Sequence, residues 1–138
     1  MSADNEAAVR RMFVAMTSGD LNGLDEICHP DFVDHNPEPG QGPGLEGVKE
    51  GFAMFGVAIP DLDIAINDLF SAGDKVVTRV TMTGTNTGNL GEMPPSGNKV
   101  SVDNIDIIRF EDGVAVERWG QHDSLGFMQQ LGVIPEMG

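Results

Sequence analysis

The run ERWGQHDSLGFMQQLG, residues 117–132, sets Trp119, His122 and Asp123 within one short stretch. A carboxylate there could exchange protons with a compound held against the indole, and Trp119 could supply a flat apolar contact for it. Asp123 also stands directly before SLGFMQQL, a helix-like run, where it could serve as N-cap and contribute ~1 kcal/mol. Both roles remain open from the spacing. His122 is its chain neighbour, but successive residues of a strand point to opposite faces, so His122 is expected outside any pocket that Asp123 enters.

A tight turn upstream suggests how these side chains are oriented. In FEDGV, Asp112-Gly113 is a strong signal for a two-residue type I′ hairpin, which pairs Glu111 with Val114. Regular pairing away from that turn sets Ile108 opposite Glu117, Asp106 opposite Trp119, Asn104 opposite Gln121 and Val102 opposite Asp123. The expected face then combines Val102, Asn104, Asp106, Ile108, Trp119, Gln121 and Asp123. Apolar walls with a few hydrogen-bonding groups are what a small-molecule cavity needs. Trp119 and Asp123 would lie roughly 13 Å apart at ~3.3 Å per residue, which suits an extended ligand.

Those strands need something to pack on. Val9, Met12, Phe13 and Met16 repeat at helical spacing over Asp4–Ser18, with Gly19 as a stop. Leu21, Leu24 and Ile27 suggest a shorter helix after Asp20, and Cys28 at the same spacing reads as a buried apolar residue. DFVDHNP is a short extended piece leading into the loop EPGQGPG. A third helix follows through Leu45, Val48, Phe52 and Phe55 and ends before Pro60. The period then changes to that of strands, around Ile64 and Ile66, in KVVTRVTMTGT, in KVSVDNIDIIRF and in VAVERWGQ, with the long loop NTGNLGEMPPSGN between the middle two. Helices early and strands late predict an α+β domain over 1–138, with helices packed on one side of an antiparallel sheet.

Composition narrows the partners. The 138 residues carry 22 acidic against 8 basic side chains, a formal charge of −14, which repels nucleic acid and anionic membrane surfaces. A small apolar or aromatic metabolite is the expected partner. One cysteine excludes an internal disulfide, and no His, Cys or Asp spacing specifies a metal site. Neither a signal-peptide core nor a membrane-length apolar run is present, so a cytoplasmic location is expected.

Together DFVDHNP, GTNTG, VDNIDIIRFEDGVAVERW and WGQHDSLGFMQQLG resemble the SnoaL-like polyketide cyclase family, within the cone fold shared with nuclear transport factor two. The resemblance spans nearly the whole chain. It implies a curved sheet wrapped around a pocket and closed by the N-terminal helices, assembled as a homodimer or homotetramer. It also implies a cofactor-independent intramolecular aldol ring closure in which Asp123 is the matching acid/base. Asp106 falls where relatives carry a histidine or an aspartate, and Asn86 of GTNTG replaces a common histidine. The substrate-binding set expected from residues and resemblance together is His35, Asn86, Asn104, Asp106 and Trp119, with His35 and Asn104 as donors to a developing oxyanion.

Other readings of the same cone are a non-catalytic carrier of a hydrophobic compound and an epoxide hydrolase. The latter needs an arginine between two acidic groups, for which Arg79 with Asp106 and Asp123 is the available set. Isomerase and dehydratase sites that rely on tyrosine hydroxyls are disfavoured, because the chain has no tyrosine.

Overall fold

The computed structural model describes residues 2–38 and 40–135. Helix α1 spans Ser2–Ser18, and a 3-10 turn covers Leu21–Glu26. Strand β1 (Cys28–Asp34), helix α2 (Gly44–Ala58), strands β2 (Asp63–Ala72), β3 (Lys75–Thr85), β4 (Lys99–Glu111) and β5 (Val114–His122), and helix α3 (Ser124–Gln130) follow. The other helices and the late strands expected from periodicity are present, whereas the expected second helix is only the 3-10 turn Leu21–Glu26, and Cys28, His29 and Pro30 already belong to β1. Gly19 ends α1 at a φ of 80°, a conformation that costs glycine little.

The five strands form one open sheet in the order β1-β5-β4-β3-β2. Strands β2 to β5 run antiparallel as a meander, but β1 lies parallel to β5, so the sheet is mixed. The expected antiparallel sheet is therefore corrected at one edge. A parallel neighbour needs a long crossover rather than a hairpin, and here α2 and three strands separate the pair in the chain. Local sequence around DFVDHNP holds no sign of so distant a partner.

Two bulges curve the sheet. Asn67 is the extra residue between the pairs Ile66–Val80 and Asp68–Arg79, and Val116 is the extra one between Phe110–Ala115 and Arg109–Glu117. An unpaired residue bends its strand and increases the local twist. Against the concave side pack two apolar clusters. One joins Val9, Leu24, Phe32, Leu45, Val76 and Ile108; the other joins Ile59, Val100, Val102, Phe127 and Leu131, with Phe55 stacked on Phe127 at 5.9 Å. Full burial of one such side chain contributes about 1.5–3 kcal/mol. The gap between the two clusters is where the interior cavity lies.

Cys28 belongs to the first cluster and is buried. Burial pushes its thiol up to about 12, Asp25 acts in the same direction and Lys49 opposes them. The thiolate is the reactive species, so native protein at pH 8 is expected to resist an aromatic disulfide reagent and to release one equivalent of thiol only after unfolding. Rapid stoichiometric labelling of the native state would contradict this packing.

Candidate functional site

Three rows of side chains cross the concave face from β3 through β4 to β5. They are Val76, Ile108 and Arg118; Thr78, Asp106 and Gly120; and Val80, Asn104 and His122. All of these but Val76 and Gly120, with Met12, Phe13 and Met16 from α1, Phe52 and Phe55 from α2, Asp34 at the end of β1, and Asn36, Glu38 and Gln41 from the β1–α2 connection, enclose a cavity of 110 Å³. That is below the ~300–1,000 Å³ of pockets for drug-sized ligands, so the closed space suits one small ring and a larger body must extend beyond it.

The type I′ turn is as expected. Asp112 and Gly113 have φ of 48° and 81°, and Glu111 pairs with Val114. Past Ala115 the Val116 bulge shifts the register by one residue, and a shift of one exchanges the two faces of a strand. Asp106 therefore sits opposite Gly120 and Asn104 opposite His122, instead of Trp119 and Gln121. The β4 half of the expected face, Val102, Asn104, Asp106 and Ile108, does line the cavity. The β5 half is corrected: Arg118 and His122 line it, while Trp119, Gln121 and Asp123 do not.

The remaining expected residues have other surroundings. Trp119 stacks on His35 outside the cavity, with ring centroids 4.8 Å apart, and His35 Nε2 lies 2.7 Å from Glu117 Oε2. Arg109 reaches the same carboxylate from β4. Asn86 is buried but off the cavity: its amide donates to the carbonyls of Ala58 and Gly88, and its Oδ1 accepts from the backbone and hydroxyl of Ser96. It fastens the β3–β4 loop to the end of α2. Arg79 is exposed and pairs with Asp68 at 2.6 Å, so it cannot stand between two cavity carboxylates.

Asp123 is exposed and caps α3, accepting a hydrogen bond from Gly126 N at 2.9 Å. Asp123→Ala is accordingly expected to lower unfolding free energy by about 1 kcal/mol, whereas Asp123→Asn, which can still cap, leaves it nearly unchanged. Urea denaturation measures both. Equal losses in the two variants would remove the capping account.

At the centre of the site is an arginine between two carboxylates. Arg118 Nε donates to Asp106 Oδ1 at 2.9 Å, Nη2 lies 2.7 Å from the same oxygen as an ion pair, and Nη1 donates to Asp34 Oδ1 at 2.8 Å. Gln41 Nε2 donates to Asp34 Oδ2 at 3.1 Å. The parallel pairing of β1 delivers Asp34, because Asp34 and Arg118 are register partners. Gly120 makes room for the other half: a Cβ there would stand 2.2 Å from both Asp106 Oδ1 and Arg118 Nη2. A glycine inside a strand often marks such a close approach, and in RWGQ it was the available sign that something polar crosses β5 at that point.

Both contacts from Arg118 fall on Asp106 Oδ1, leaving Oδ2 free of the guanidinium. Burial holds the Asp106 carboxyl above the usual aspartate range; Arg118 pulls it back down by charge and hydrogen bond, and Asp34 adds to the rise. Burial works against the Arg118 cation as well, but attraction to Asp106 and Asp34 outweighs it and keeps the guanidinium charged. Thr78 Oγ1 and Asn104 Oδ1 are buried with no partner among the described residues. Such an arrangement offers a proton-accepting oxygen of raised basicity in a mostly apolar enclosure.

A family model for SnoaL-like polyketide cyclase matches residues 7–131. The chain is 31% identical over 137 residues to the aklanonic acid methyl ester cyclase DnrD of Streptomyces peucetius, covering 90% of this chain and 88% of that protein. Among solved structures, TsrD from Streptomyces laurentii superposes with a TM-score of 0.87 at 32% identity, covering 96% and 97% of the two chains. AclR from Streptomyces galilaeus, named a candidate hydroxylase, gives 0.86 at 28% identity over 100% of this chain and 87% of its own.

Proposed function

The chain belongs to the SnoaL-like polyketide cyclase family, and from that premise we propose that it closes a ring in a largely apolar carbonyl compound by cofactor-independent acid/base chemistry, with Asp106 moving the proton. The observation that carries this reading is the buried Asp106 carboxylate, raised in basicity, with one oxygen unengaged at an apolar cavity.

In the first step Asp106 Oδ2 takes a proton α to a carbonyl, and the C–H electron pair moves into the enolate. The enolate carbon then attacks a second carbonyl of the same molecule, forming the C–C bond and an alkoxide. Asp106 returns its proton to that alkoxide, so one carboxyl group serves both steps and the product is an isomer of the substrate. Arg118 fixes the direction of the carboxylate and keeps Oδ1 occupied. Asn104 and His122, both at the cavity, take the place of His35 as candidate partners for the developing oxyanion. Holding two reacting ends together can contribute ~7–11 kcal/mol, so the fit of the folded chain of substrate matters as much as the base.

Aklanonic acid methyl ester, the compound in the name of the Streptomyces relatives, and smaller dicarbonyl compounds are the substrates to try. Chromatographic appearance of an isomeric product with wild type, and its loss with Asp106→Asn, supports the reading; equal turnover by both proteins sinks it. A compound that binds without turning over would favour a carrier instead.

One observation favours a second reaction at the same residues. The set Asp34, Arg118 and Asp106 is an arginine held between two carboxylates, the arrangement expected for hydration of an epoxide. There Asp106 would take a proton from water as the water oxygen bonds to the ring carbon and the C–O bond breaks, and Asp106 would then return that proton to the released alkoxide, giving the diol. Diol formation from a simple terpene epoxide, absent in Asp106→Asn, would support it; an unchanged epoxide would not.

A further inference from the structure

The two carboxylates beside Arg118 are held to different degrees. Asp34 Oδ1 accepts from Arg118 Nη1 at 2.8 Å and from the backbone N–H of Asn36 at 3.1 Å, and its Oδ2 accepts from Gln41 Nε2 at 3.1 Å. Both oxygens of Asp34 thus have donors. Gln41 is itself fixed: its Oε1 accepts from Glu38 N at 3.2 Å, and Gly51 of α2 leaves it space, since a Cβ there would stand 3.3 Å from that oxygen. Asp106 meets Arg118 alone among the described residues, and only through Oδ1.

An arginine facing a single carboxylate favours a two-point fork, one donor on each oxygen, because that geometry joins two charge-assisted hydrogen bonds. Here Nε donates to Asp106 Oδ1 and Nη2 lies 2.7 Å from the same oxygen. Completing the fork would carry Nη2 to Oδ2 and draw Nη1 away from Asp34. The opposing acceptor is built into the sheet, since Asp34 and Arg118 are register partners across β1 and β5.

We infer that Asp34, anchored by Gln41, is a positioning residue: it holds Arg118 by Nη1 and so keeps the guanidinium from closing on both oxygens of Asp106. This rests on the reading of Asp106 as the acid/base and deepens it by dividing the work of the two carboxylates. One aims the cation and the other exchanges protons.

The same geometry sets basicity. A carboxylate gripped at both oxygens favours its charged form more strongly, so a completed fork would make Asp106 a weaker base. The other charged or titratable groups at the cavity are Arg118 and His122 on β5, Asp34 on β1 and Glu38 on the connection, whereas α1 and α2 present apolar side chains to it. Arg118 and His122 draw the Asp106 carboxyl down, and Asp34 lifts it. Loss of Asp34 therefore acts twice in one direction, through its charge and through the release of Arg118.

Three variants separate these effects. Asp34→Asn removes the charge but keeps an oxygen for Nη1, Asp34→Ala removes both, and Gln41→Ala leaves Asp34 in place without its anchor. Carbon-13 NMR of the Asp106 side-chain carboxyl against pH, assigned by its absence in Asp106→Asn, reads the outcome. The midpoint is expected to fall by about 1 pH unit in Asp34→Ala, by less in Asp34→Asn, and by a smaller amount in the same direction in Gln41→Ala. Turnover by Asp34→Ala at pH 7 should drop about threefold or more with KM little changed, because a weaker base slows proton abstraction rather than binding. Gln41→Ala alters a half-buried loop residue and is expected to fold whatever the removal of Asp34 does. Equal midpoints in Asp34→Ala and Asp34→Asn would mean that charge alone acts, and would overturn the positioning role. An unchanged midpoint in Gln41→Ala, or a crystal structure of Asp34→Ala with Asp106 Oδ2 still free of Arg118, would do the same. Midpoints that move as expected while Asp106→Asn keeps full turnover leave the role of Asp34 standing and end the proton-transfer reading; unchanged midpoints with turnover lost in Asp106→Asn do the reverse.

Discussion

Asp106→Asn is expected to reduce kcat by about 10²–10⁴-fold while leaving the fold and ligand binding nearly intact. Asparagine keeps an oxygen in the Oδ1 position, so Arg118 Nε retains its acceptor, but the side chain can neither take nor return a proton. The wild-type rate should rise with pH as Asp106 ionises. Because burial holds that group above the ordinary aspartate value, the rise is centred above pH ~4, and the variant lacks it.

Stability makes the same point with the opposite sign. A carboxyl whose folded pKa exceeds its unfolded one contributes its stability fully below the unfolded value, and the contribution fades as pH rises through the folded pKa. Wild type is therefore expected to lose ground against Asp106→Asn as pH increases from ~3 through Asp106's ionisation. Parallel urea titrations at several pH values, with kcat measured alongside, test both limbs. A variant with wild-type kcat, or a stability difference that moves the other way with pH, would mean that Asp106 is not the buried base described above.

Arg118→Met should be the most damaging single change to stability, costing about 3–5 kcal/mol. Arg118 and its partners Asp34 and Asp106 are each largely buried, with side-chain exposures of 20%, 9% and 10%. Methionine matches much of the aliphatic stem but leaves two carboxylates close together without their cation. The melting temperature should fall by on the order of 10 °C. Adding Asp34→Asn and Asp106→Asn to Arg118→Met should recover part of the loss, since the neutral triple variant no longer buries an unpaired charge. Arg118→Lys is not a substitute, because one ammonium lacks the rigid fork that holds Nε and Nη1 on two carboxylates at fixed angles. If Arg118→Met unfolds within about 1 kcal/mol of wild type, the ion triad is an exposed ornament of the surface and the electrostatic picture of the site is wrong.

Local sequence determined more of this molecule than of its site. Helical spacing of Val9, Met12, Phe13 and Met16, the β-branched runs, and Asp112-Gly113 with its left-handed backbone are short-range properties, and they mark the elements and the β4–β5 turn. The inward side of β4 was legible for the same reason, since alternation along one strand needs no partner. Asp123 could be read as a cap from its place before SLGFMQQL, and it is one.

Tertiary structure decided the side on which β5 presents each residue. Val116 bulges out beside the fully buried Ala115, and from there Arg118 and His122 turn inward while Trp119 turns outward onto His35. It also decided that β1 pairs in parallel with β5, which brings Asp34 to Arg118 across more than eighty positions of chain. A bulge and a parallel edge are settled by packing and by hydrogen bonds between distant segments, whose energies leave little trace in the spacing of neighbouring residues. Gly120 is the exception, a missing side chain that records the space the guanidinium and carboxylate require.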